Sequence, residues 1–248
     1  MGKLPRQSIV GPVASAAYLL RGLNMLRQPG LRHFVWAPLL INLSLYGLGA
    51  WVGAHYFSAA LHWLIPGWLE WLRWLLWPLF ALLLSAVAFF SFTLVANFVA
   101  APFYGPLAAR VLSDGGVSVA REENAGVFGA LAADFASEVR RMAYFALRAL
   151  PLLLLSAIPG VNLIAPFFWL LFGAWSLSLE YLAYPLEAQG MRFDRQREVA
   201  AAHHWEALGF GAAVMLGLGV PVLNILIPPA AVVGAALLVI DRRRMAVS

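Results

Sequence analysis

The sequence contains no cysteine, and charged residues make up only 12% of its 248 positions. Without cysteine the chain can form no disulfide bond, thiolate metal site or cysteine nucleophile. The charged share is about half that of an ordinary globular protein, while the hydrophobic share reaches 62%. Because a soluble fold of this length could not bury so much apolar surface, we expect lipid to surround most of the chain.

Recognisable catalytic motifs are also missing. The chain contains no His-Glu-x-x-His, Gly-x-Ser-x-Gly or phosphate-loop pattern. Adjacent histidines in the segment His203–Glu206 point in different directions on a helix, so a solvated face or a membrane edge fits this segment better than a metal site. We therefore expect no enzyme activity, no metal and no cofactor.

The 17 Lys and Arg residues outnumber the 12 Asp and Glu residues, which gives a net charge of +5. These bases flank apolar stretches, a pattern that favours membrane orientation over nucleic-acid binding. Pro5, Gly11 and Pro12 interrupt the N-terminal segment, which shows no signal-peptide pattern. We expect the protein to enter the membrane through its own first spanning helix.

Four long stretches contain no charged residue: Phe34–Leu69, Trp74–Ala109, Ala149–Leu179 and Ala207–Ile240. A helix needs ~20 apolar residues to cross a bilayer. The first two stretches predict full spans, with helices over about Val35–Leu61 and Leu76–Ala100. We expect Ala101-Pro102 to end or kink the second helix.

Six tryptophans cluster around the loop between these two helices. They are Trp51, Trp63, Trp68, Trp71, Trp74 and Trp77. Such an aromatic belt marks a membrane–water boundary. The two helices are therefore expected to form a hairpin across the bilayer.

The third and fourth stretches are each interrupted by the pattern Pro-x-x-Asn-x-x-x-Pro, at Pro159–Pro166 and Pro221–Pro228, with an offset of 62 residues. Two prolines so close together do not leave one straight helix. Roughly a dozen apolar residues remain on each side, or ~18 Å of helix, which is too short to span. We expect a re-entrant helical hairpin in each stretch; two kinked spans are the alternative.

The placement of the bases favours the hairpins. Sixteen of the seventeen Lys and Arg residues lie in the N-terminal segment, in Arg110–Arg148, in Arg192–Arg197 or in Arg242–Arg244, and only Arg73 lies in the tryptophan-rich loop. If each interrupted stretch enters and leaves on one face, all sixteen lie on one side of the membrane. Both termini are then cytoplasmic.

The remaining segments are expected at the membrane surface. Val13–Gln28 has the spacing of an interfacial amphipathic helix ended by Pro29-Gly30. Ser113–Gly126 reads as a polar loop, and helical periodicity resumes from about Phe128 to Leu155. The predicted fold is an all-α integral membrane protein with two long transmembrane helices, two re-entrant hairpins, an amphipathic N-terminal helix and a helical cytoplasmic portion. Its segments are 1–33, 34–109, 110–148, 149–179, 180–206, 207–240 and 241–248.

The segment Gly30–His33, directly before the first span, is a candidate oxyanion site. Gly30 lets backbone amides approach a ligand, the following helix directs its N-terminus at it, and Arg32 adds a forked charge-assisted contact. Asn162 and Asn224 are polar side chains at the same place in each interruption. They either line a wet path or cap the backbone groups that the interruption frees.

Several segments resemble the CysZ-type bacterial sulfate permeases. Arg27–Phe34, followed by Pro38–Asn42, resembles the start of that family, and Ala96–Phe103 and Ile158–Gly160 resemble further parts of it. The tryptophan-rich loop agrees as well. The similarity extends over nearly the whole chain.

The resemblance implies sulfate uptake across the bacterial inner membrane for cysteine synthesis, by a homo-oligomer of chains with two long helices and two hemi-penetrating hairpins. A Gly-Leu-Arg-Arg-like segment binds sulfate in that family, and it matches Gly30, Leu31, Arg32 and His33 here. His33 replaces the more usual second arginine, which weakens the site. Sulfite, thiosulfate and related oxyanions are further possible substrates.

The path across the membrane has four candidate residues: Asn97, Asn162, Asn224 and Glu180. The family resemblance implies proton dependence, for which Glu180 is the candidate carboxylate, although a helix-end charge facing the cytoplasm is the simpler and favoured explanation of Glu180. Channel and proton symporter both remain open. A membrane scaffold or assembly protein without transport activity is the alternative function.

Overall fold

The structure is a computed structural model that describes residues 11–120, 127–220 and 223–247. Regular secondary structure in these ranges is entirely helical, which confirms the predicted all-α class. The α-helices are α1 (Pro12–Met25), α2 (His33–Leu64), α3 (Glu70–Asp114), α4 (Val127–Ala157), α5 (Ala165–Glu187), α6 (Phe193–Ala202), α7 (His204–Leu218) and α8 (Ile227–Val247). Residues 33–103 form one compact unit, the hairpin unit, and the other described residues form a second, the core unit.

The hairpin unit consists of α2 and the first part of α3, which pack against each other through aromatic and hydroxyl contacts. The rings of Phe57 and Phe80 stack with centroids 4.1 Å apart, and the hydroxyl oxygens of Tyr46 and Ser91 are 2.6 Å apart. Within the described residues, two helical stretches are long and apolar enough to cross a membrane, His33–Leu64 and Gly67–Phe92. The prediction of two long apolar helices is confirmed.

The predicted tryptophan cluster lies around the turn between α2 and α3. The side chains of Trp63, Trp68 and Trp74 are among the most exposed of the large apolar residues. Arg73, the single base in this region, donates to the carbonyl oxygen of Ile65 at 3.1 Å and pairs with Glu70 at 3.4 Å. Exposed indoles and a locally neutralised charge suit a membrane–water boundary.

The sequence predicted that Ala101-Pro102 would either end or kink the second long helix. Helix α3 does not end there. It runs without a break from Glu70 to Asp114, 45 residues in all, although Pro102 and Pro106 each lack an amide donor. Its last turns are buried in the core unit, where Leu107 and Leu112 are fully inaccessible. Tertiary burial of this kind supplies more helix stability than local propensity does, so it outweighs the lost hydrogen bonds.

The centre of the core unit is α8, whose residues from Ile227 to Ile240 are almost all buried. It packs mainly on α1 and α5, and small residues allow a close approach. A Cβ atom built on Gly22 of α1 would lie 2.1 Å from the carbonyl oxygen of Ala230. Similarly, a Cβ on Gly211 of α7 would lie 1.8 Å from the carbonyl oxygen of Ala174 in α5. Backbones in contact at glycine are typical of membrane-protein helix pairs.

Both predicted interruptions are present. Each contains a short 3₁₀ turn, Val161–Leu163 or Leu223–Ile225. The amide of Asn162 donates to the carbonyl of Ile158 at 3.1 Å, and the amide of Asn224 donates to that of Val220 at 3.0 Å. The two bonds are offset by the same 62 residues as the sequence motif, so the repeat in sequence is a repeat in local structure.

The helices that flank the interruptions are longer than the predicted dozen residues. α4 has 31 residues, α5 has 23, α7 has 15 and α8 has 21. They extend beyond the uncharged stretches because their polar ends pack within the protein or face water. α4 matches the helix predicted from about Phe128 to Leu155, and the dozen apolar residues counted beside each break form only part of α5 and α8.

At the first interruption the chain turns back on itself. The indole nitrogen of Trp169 donates to the hydroxyl of Ser156 at 3.0 Å, and that of Trp175 donates to the hydroxyl of Tyr144 at 2.9 Å. As residue numbers rise along α5, those of their partners fall along α4. The two helices are therefore antiparallel. We call the end at which α4 ends and α5 begins the tip end of the core unit.

Helix α7 also ends at the tip end. Gly211 lies beside Ala174, and Gly173 lies beside the sulfur of Met215, so α7 is antiparallel to α5. Near the tip, a Cβ atom on Gly217 would meet the side chain of Ile227 at the start of α8. Both interruptions therefore lie at one end of the core unit.

Helix α1 runs toward this same end. Its Gly22 contacts Ala230, and its Tyr18 contacts Gly234 farther along α8, so α1 is antiparallel to α8. Its last helical residue is Met25, three residues before the predicted end. The turn that follows α1 consequently begins at the tip end.

The segment His203–Glu206 differs from its expected place on a solvated face or membrane edge. Glu206 is only 3% exposed, and its carboxylate accepts a hydrogen bond from Arg242 of α8 at 2.8 Å. His204 and Trp205 are exposed, as expected. Within the ranges that the structure describes, no group of three or more His, Cys, Asp or Glu side chains could hold a metal ion.

The α5–α7 contact predicts a stability difference between two glycine variants. Gly211→Ala should destabilise the protein by about 1–3 kcal/mol, because its Cβ would overlap the α5 backbone. The matched variant Gly105→Ala adds a methyl group to α3 where nothing lies within 4 Å, so helix propensity should leave it as stable as the wild type or up to ~1 kcal/mol more stable. Thermal unfolding of the detergent-solubilised variants measures the difference; equal stability would contradict the close packing.

Candidate functional site

The turn after α1 carries the predicted oxyanion segment. The amides of Leu31 and Arg32 both donate to the carbonyl oxygen of Gln28, at 3.0 and 3.2 Å. The side chain of Leu31 is 2% exposed and anchors the turn in the core unit. Two of the amides expected to face a ligand are therefore occupied within the turn, and the remaining donors there are the Gly30 amide and the Arg32 side chain.

The environment of Gly30 and Arg32 is open. A Cβ atom on Gly30 would meet nothing within 4 Å, and the backbone of Gly30 is not left-handed, so the glycine provides room and is not required by the conformation of the turn. Arg32 is exposed and forms no ion pair with any residue in the described part of the chain. An unpaired guanidinium beside open space can receive an anion.

His33 is the first residue of α2 and belongs to the hairpin unit. Its side chain is exposed, and its ring centroid lies 4.0 Å from that of Phe34. His33 therefore carries an exposed imidazole where the family has a second guanidinium.

The two asparagines of the interruptions are at the tip end. Asn162 is exposed and Asn224 is half-buried. Among the residues that the structure describes, neither side chain forms a hydrogen bond. Within the described ranges, therefore, neither side chain caps a freed backbone group.

The other two candidates differ in what can be said of them. Asn97 lies within α3, but its side chain is outside the described residues. Glu180 lies in α5, fifteen residues after Ala165, and so is displaced from the tip toward the opposite end of the core unit. Glu180 is exposed at the surface of the described residues; partial desolvation nevertheless raises the pKa of its carboxyl group, and Arg141 partly opposes this effect.

The structure thus groups the predicted residues in two places. The Gly30–Arg32 turn, Asn162 and Asn224 share the tip end, whereas Glu180 is separated from them along α5. Sequence patterns could not predict this grouping, because it depends on the direction in which α1 packs on α8.

A second polar region was not predicted at all. The hydroxyl of Tyr18 in α1 donates to the carboxylate of Asp241 in α8 at 2.9 Å, and Arg21 lies 3.4 Å from the same carboxylate. Burial and the neighbouring carboxylate raise the pKa of Tyr18 to about 12. This region holds α1 on α8 and contributes to the position of the turn.

Comparison with known proteins identifies the family. The family model described as sulfate transporter CysZ/etoposide-induced protein 2.4 matches residues 18–229. A protein named sulfate transporter CysZ from Pseudomonas aeruginosa is 38% identical over 228 residues, which cover 89% of this chain and 92% of that protein. Proteins of the same name from Pseudomonas fluorescens and Pectobacterium atrosepticum are 40% and 37% identical, over 97% and 92% of this chain and 97% and 84% of their own lengths. The chain belongs to the sulfate transporter CysZ/etoposide-induced protein 2.4 family.

Proposed function

We propose that this protein carries sulfate into the cell across the bacterial inner membrane and supplies sulfur for cysteine synthesis. Relatives that align with nearly the whole chain are named sulfate transporters. The observation that carries the proposal is the tip end of the core unit. The open Gly30–Arg32 turn, with a guanidinium that has no ion pair among the described residues, lies at the same end as Asn162 and Asn224, whose side chains have no hydrogen bond within those residues.

The tips of both hairpins are proposed to lie within the bilayer without crossing it. Near the first tip, the apolar side chains of Leu154, Leu163 and Phe167 are exposed, and lipid is the solvent that would accept them. The arms of α4 and α5 return to one end, so the bases beyond them need not cross. Irregular backbone at that depth is tolerated where it is buried in protein or lines a wet cavity.

The position of Arg32 supports an anion as the cargo. If the tips lie at bilayer depth, the turn after α1 lies near that depth too. An unpaired charge inside a membrane costs several kcal/mol unless it has a partner or contacts water. Sulfate carries two negative charges and four acceptor oxygens, so it suits a guanidinium, a free amide and asparagine amides. Sulfite, thiosulfate and related oxyanions have similar chemistry.

The membrane potential sets a requirement on the mechanism. Moving a dianion inward against 100 mV costs ~4.6 kcal/mol. Uptake therefore needs either rapid consumption of sulfate inside the cell or coupling to protons. Glu180 remains the candidate for coupling, because desolvation raises the pKa of its carboxyl group. We further propose that the protein is a homo-oligomer and that both of its termini are cytoplasmic.

Flux of labelled sulfate into proteoliposomes tests the proposed function directly. Protein-containing vesicles should accumulate sulfate faster than empty vesicles, and unlabelled thiosulfate should reduce the signal more than chloride at equal ionic strength. A rate equal to that of empty vesicles would instead support the scaffold alternative.

Arg32→Ala should weaken sulfate binding at least tenfold, because charge-assisted hydrogen bonds contribute about 1.5–3 kcal/mol each. Arg27→Ala is the matched control, since Arg27 is also exposed and lies five residues earlier. Calorimetric titration of sulfate into both purified variants measures the effect. Unchanged affinity in Arg32→Ala, or an equal loss in the control, would remove this turn from the site.

The double variant Asn162→Leu/Asn224→Leu should reduce sulfate flux severalfold without reducing expression, because it removes both polar side chains at the tips. Asn24→Leu, on the exposed side of α1, is the control and should transport normally. Uptake by each variant in the same vesicles gives the comparison. Wild-type flux in the double variant would assign the two asparagines to structure alone.

A further inference from the structure

A second arginine cluster lies in the core unit, away from the tip. The guanidinium carbon of Arg148 is 3.6 Å from the ring centroid of Tyr144, and that of Arg197 is 5.6 Å from the same centroid. Arg148 is one helical turn beyond Tyr144 on α4, whereas Arg197 comes from α6. Both distances are within the range of cation–π contacts, so two helices bring positive charges to one ring.

Three neighbouring arginines form ion pairs with carboxylates, whereas Arg148 and Arg197 do not within the described ranges. Arg140 lies 3.6 Å from Asp194, Arg141 lies 2.7 Å from Glu187, and Arg195 lies 2.7 Å from Glu198. Across the described ranges, neither Arg148 nor Arg197 forms an ion pair or a hydrogen bond with another residue. Two guanidinium groups within 5.6 Å of one ring centroid leave a local excess of positive charge, which a bound anion would offset.

The ring that carries them is fixed by three helices. Tyr144 is 8% exposed, its hydroxyl accepts a hydrogen bond from Trp175 of α5, and its ring contacts the edge of Phe193 in α6 with centroids 5.4 Å apart. Its own hydroxyl proton has no acceptor among the side chains and carbonyls that the structure describes. The Tyr144 ring is therefore held in place before any anion binds, and its hydroxyl group can still donate one hydrogen bond.

The cluster is accessible and lies at the start of an apolar stretch. Arg148 is exposed and Arg197 is half-buried, so a small solute or a headgroup can reach both. Arg148 is the last base before the uncharged residues 149–179. Both a sulfate ion near the membrane surface and the phosphate of a lipid would meet the cluster at this position.

We propose that Arg148, Arg197 and Tyr144 form a second oxyanion site, for a tetrahedral anion bound by the free N–H groups of the two arginines that lie against the Tyr144 ring. The anion is either sulfate at the end of its path or the phosphate of an acidic phospholipid, which share the same recognition chemistry. The site does not depend on the proposed role of Arg32. Its removal and the removal of the tip site can therefore be measured separately.

The test uses the full-length protein with Arg32→Ala, so that the tip site does not contribute. Arg148→Gln/Arg197→Gln is compared with Arg140→Gln/Arg195→Gln, which removes the same number of charges from the same two helices but takes them from arginines that have carboxylate partners. One arm measures equilibrium binding of labelled sulfate in neutral detergent. The other arm counts phosphatidylglycerol molecules retained in native mass spectrometry.

Relative to the Arg32→Ala protein, Arg148→Gln/Arg197→Gln should lose at least tenfold in sulfate affinity or most of its retained phosphatidylglycerol. The control Arg140→Gln/Arg195→Gln should stay within twofold of the Arg32→Ala protein in both arms. A loss in the first arm identifies the free anion as the ligand, and a loss confined to the second identifies the lipid phosphate. If the glutamine pair does not fold, Arg148→Lys/Arg197→Lys keeps both charges but loses the planar fork, and it should still bind at least threefold more weakly than its parent. Equal behaviour of the tested pair and the control pair in both arms would overturn the proposal.

Discussion

The structure depends on how polar backbone is accommodated where an apolar helix stops. Lipid offers no hydrogen-bond partner, so a helix that ends at membrane depth must satisfy its amides and carbonyls within the protein or with water. Each interruption contains a local turn in which the amide of Asn162 or Asn224 bonds to the carbonyl four residues earlier. The asparagine side chains are not consumed by this arrangement. Polar groups therefore collect at the tip end, and the unpaired Arg32 on the turn after α1 adds a charge to them.

The two hairpins share a motif but have different surroundings. Around the first interruption, α4 and α5 expose apolar side chains such as Leu153 and Leu163. In the second, α8 is buried along most of its length, against α1 and α5 in particular. Glycines at positions 22 and 211 allow the backbones to touch. The helices of the first interruption therefore carry an exposed apolar surface, while α8 of the second forms the interior against which α1 packs.

Local and compositional features were predictable from the sequence. The two long helices were predicted from hydropathy, and both interruptions were predicted from paired prolines. Each of these features depends only on residues close together in the sequence. The continuation of α3 beyond Pro102 was not predictable, because it depends on burial of Leu107 and Leu112. The hydrogen bond from Arg242 to Glu206 joins residues 36 positions apart, so no short sequence pattern could predict it.

The candidate site shows the same division. The segment Gly30–His33 was predicted from its glycine and arginine and from a family resemblance, and its role as an anion site stays a prediction. The occupation of the Leu31 and Arg32 amides by Gln28 is a property of the turn that sequence could not reveal. The cluster around Tyr144 escaped prediction because its arginines come from different helices, and positive charges near a membrane usually indicate only orientation.

The central claim is that the chain turns back at both interruptions, so that the segments beyond them return to one face of the membrane. Because the protein has no native cysteine, single-cysteine variants can be labelled in intact spheroplasts with a membrane-impermeant maleimide. Arg192→Cys and Arg244→Cys should both resist labelling until the membrane is opened, whereas Trp68→Cys should react at once. Labelling of Arg192→Cys from outside, with Arg244→Cys still protected, would show that each interrupted stretch crosses the bilayer and would contradict the account.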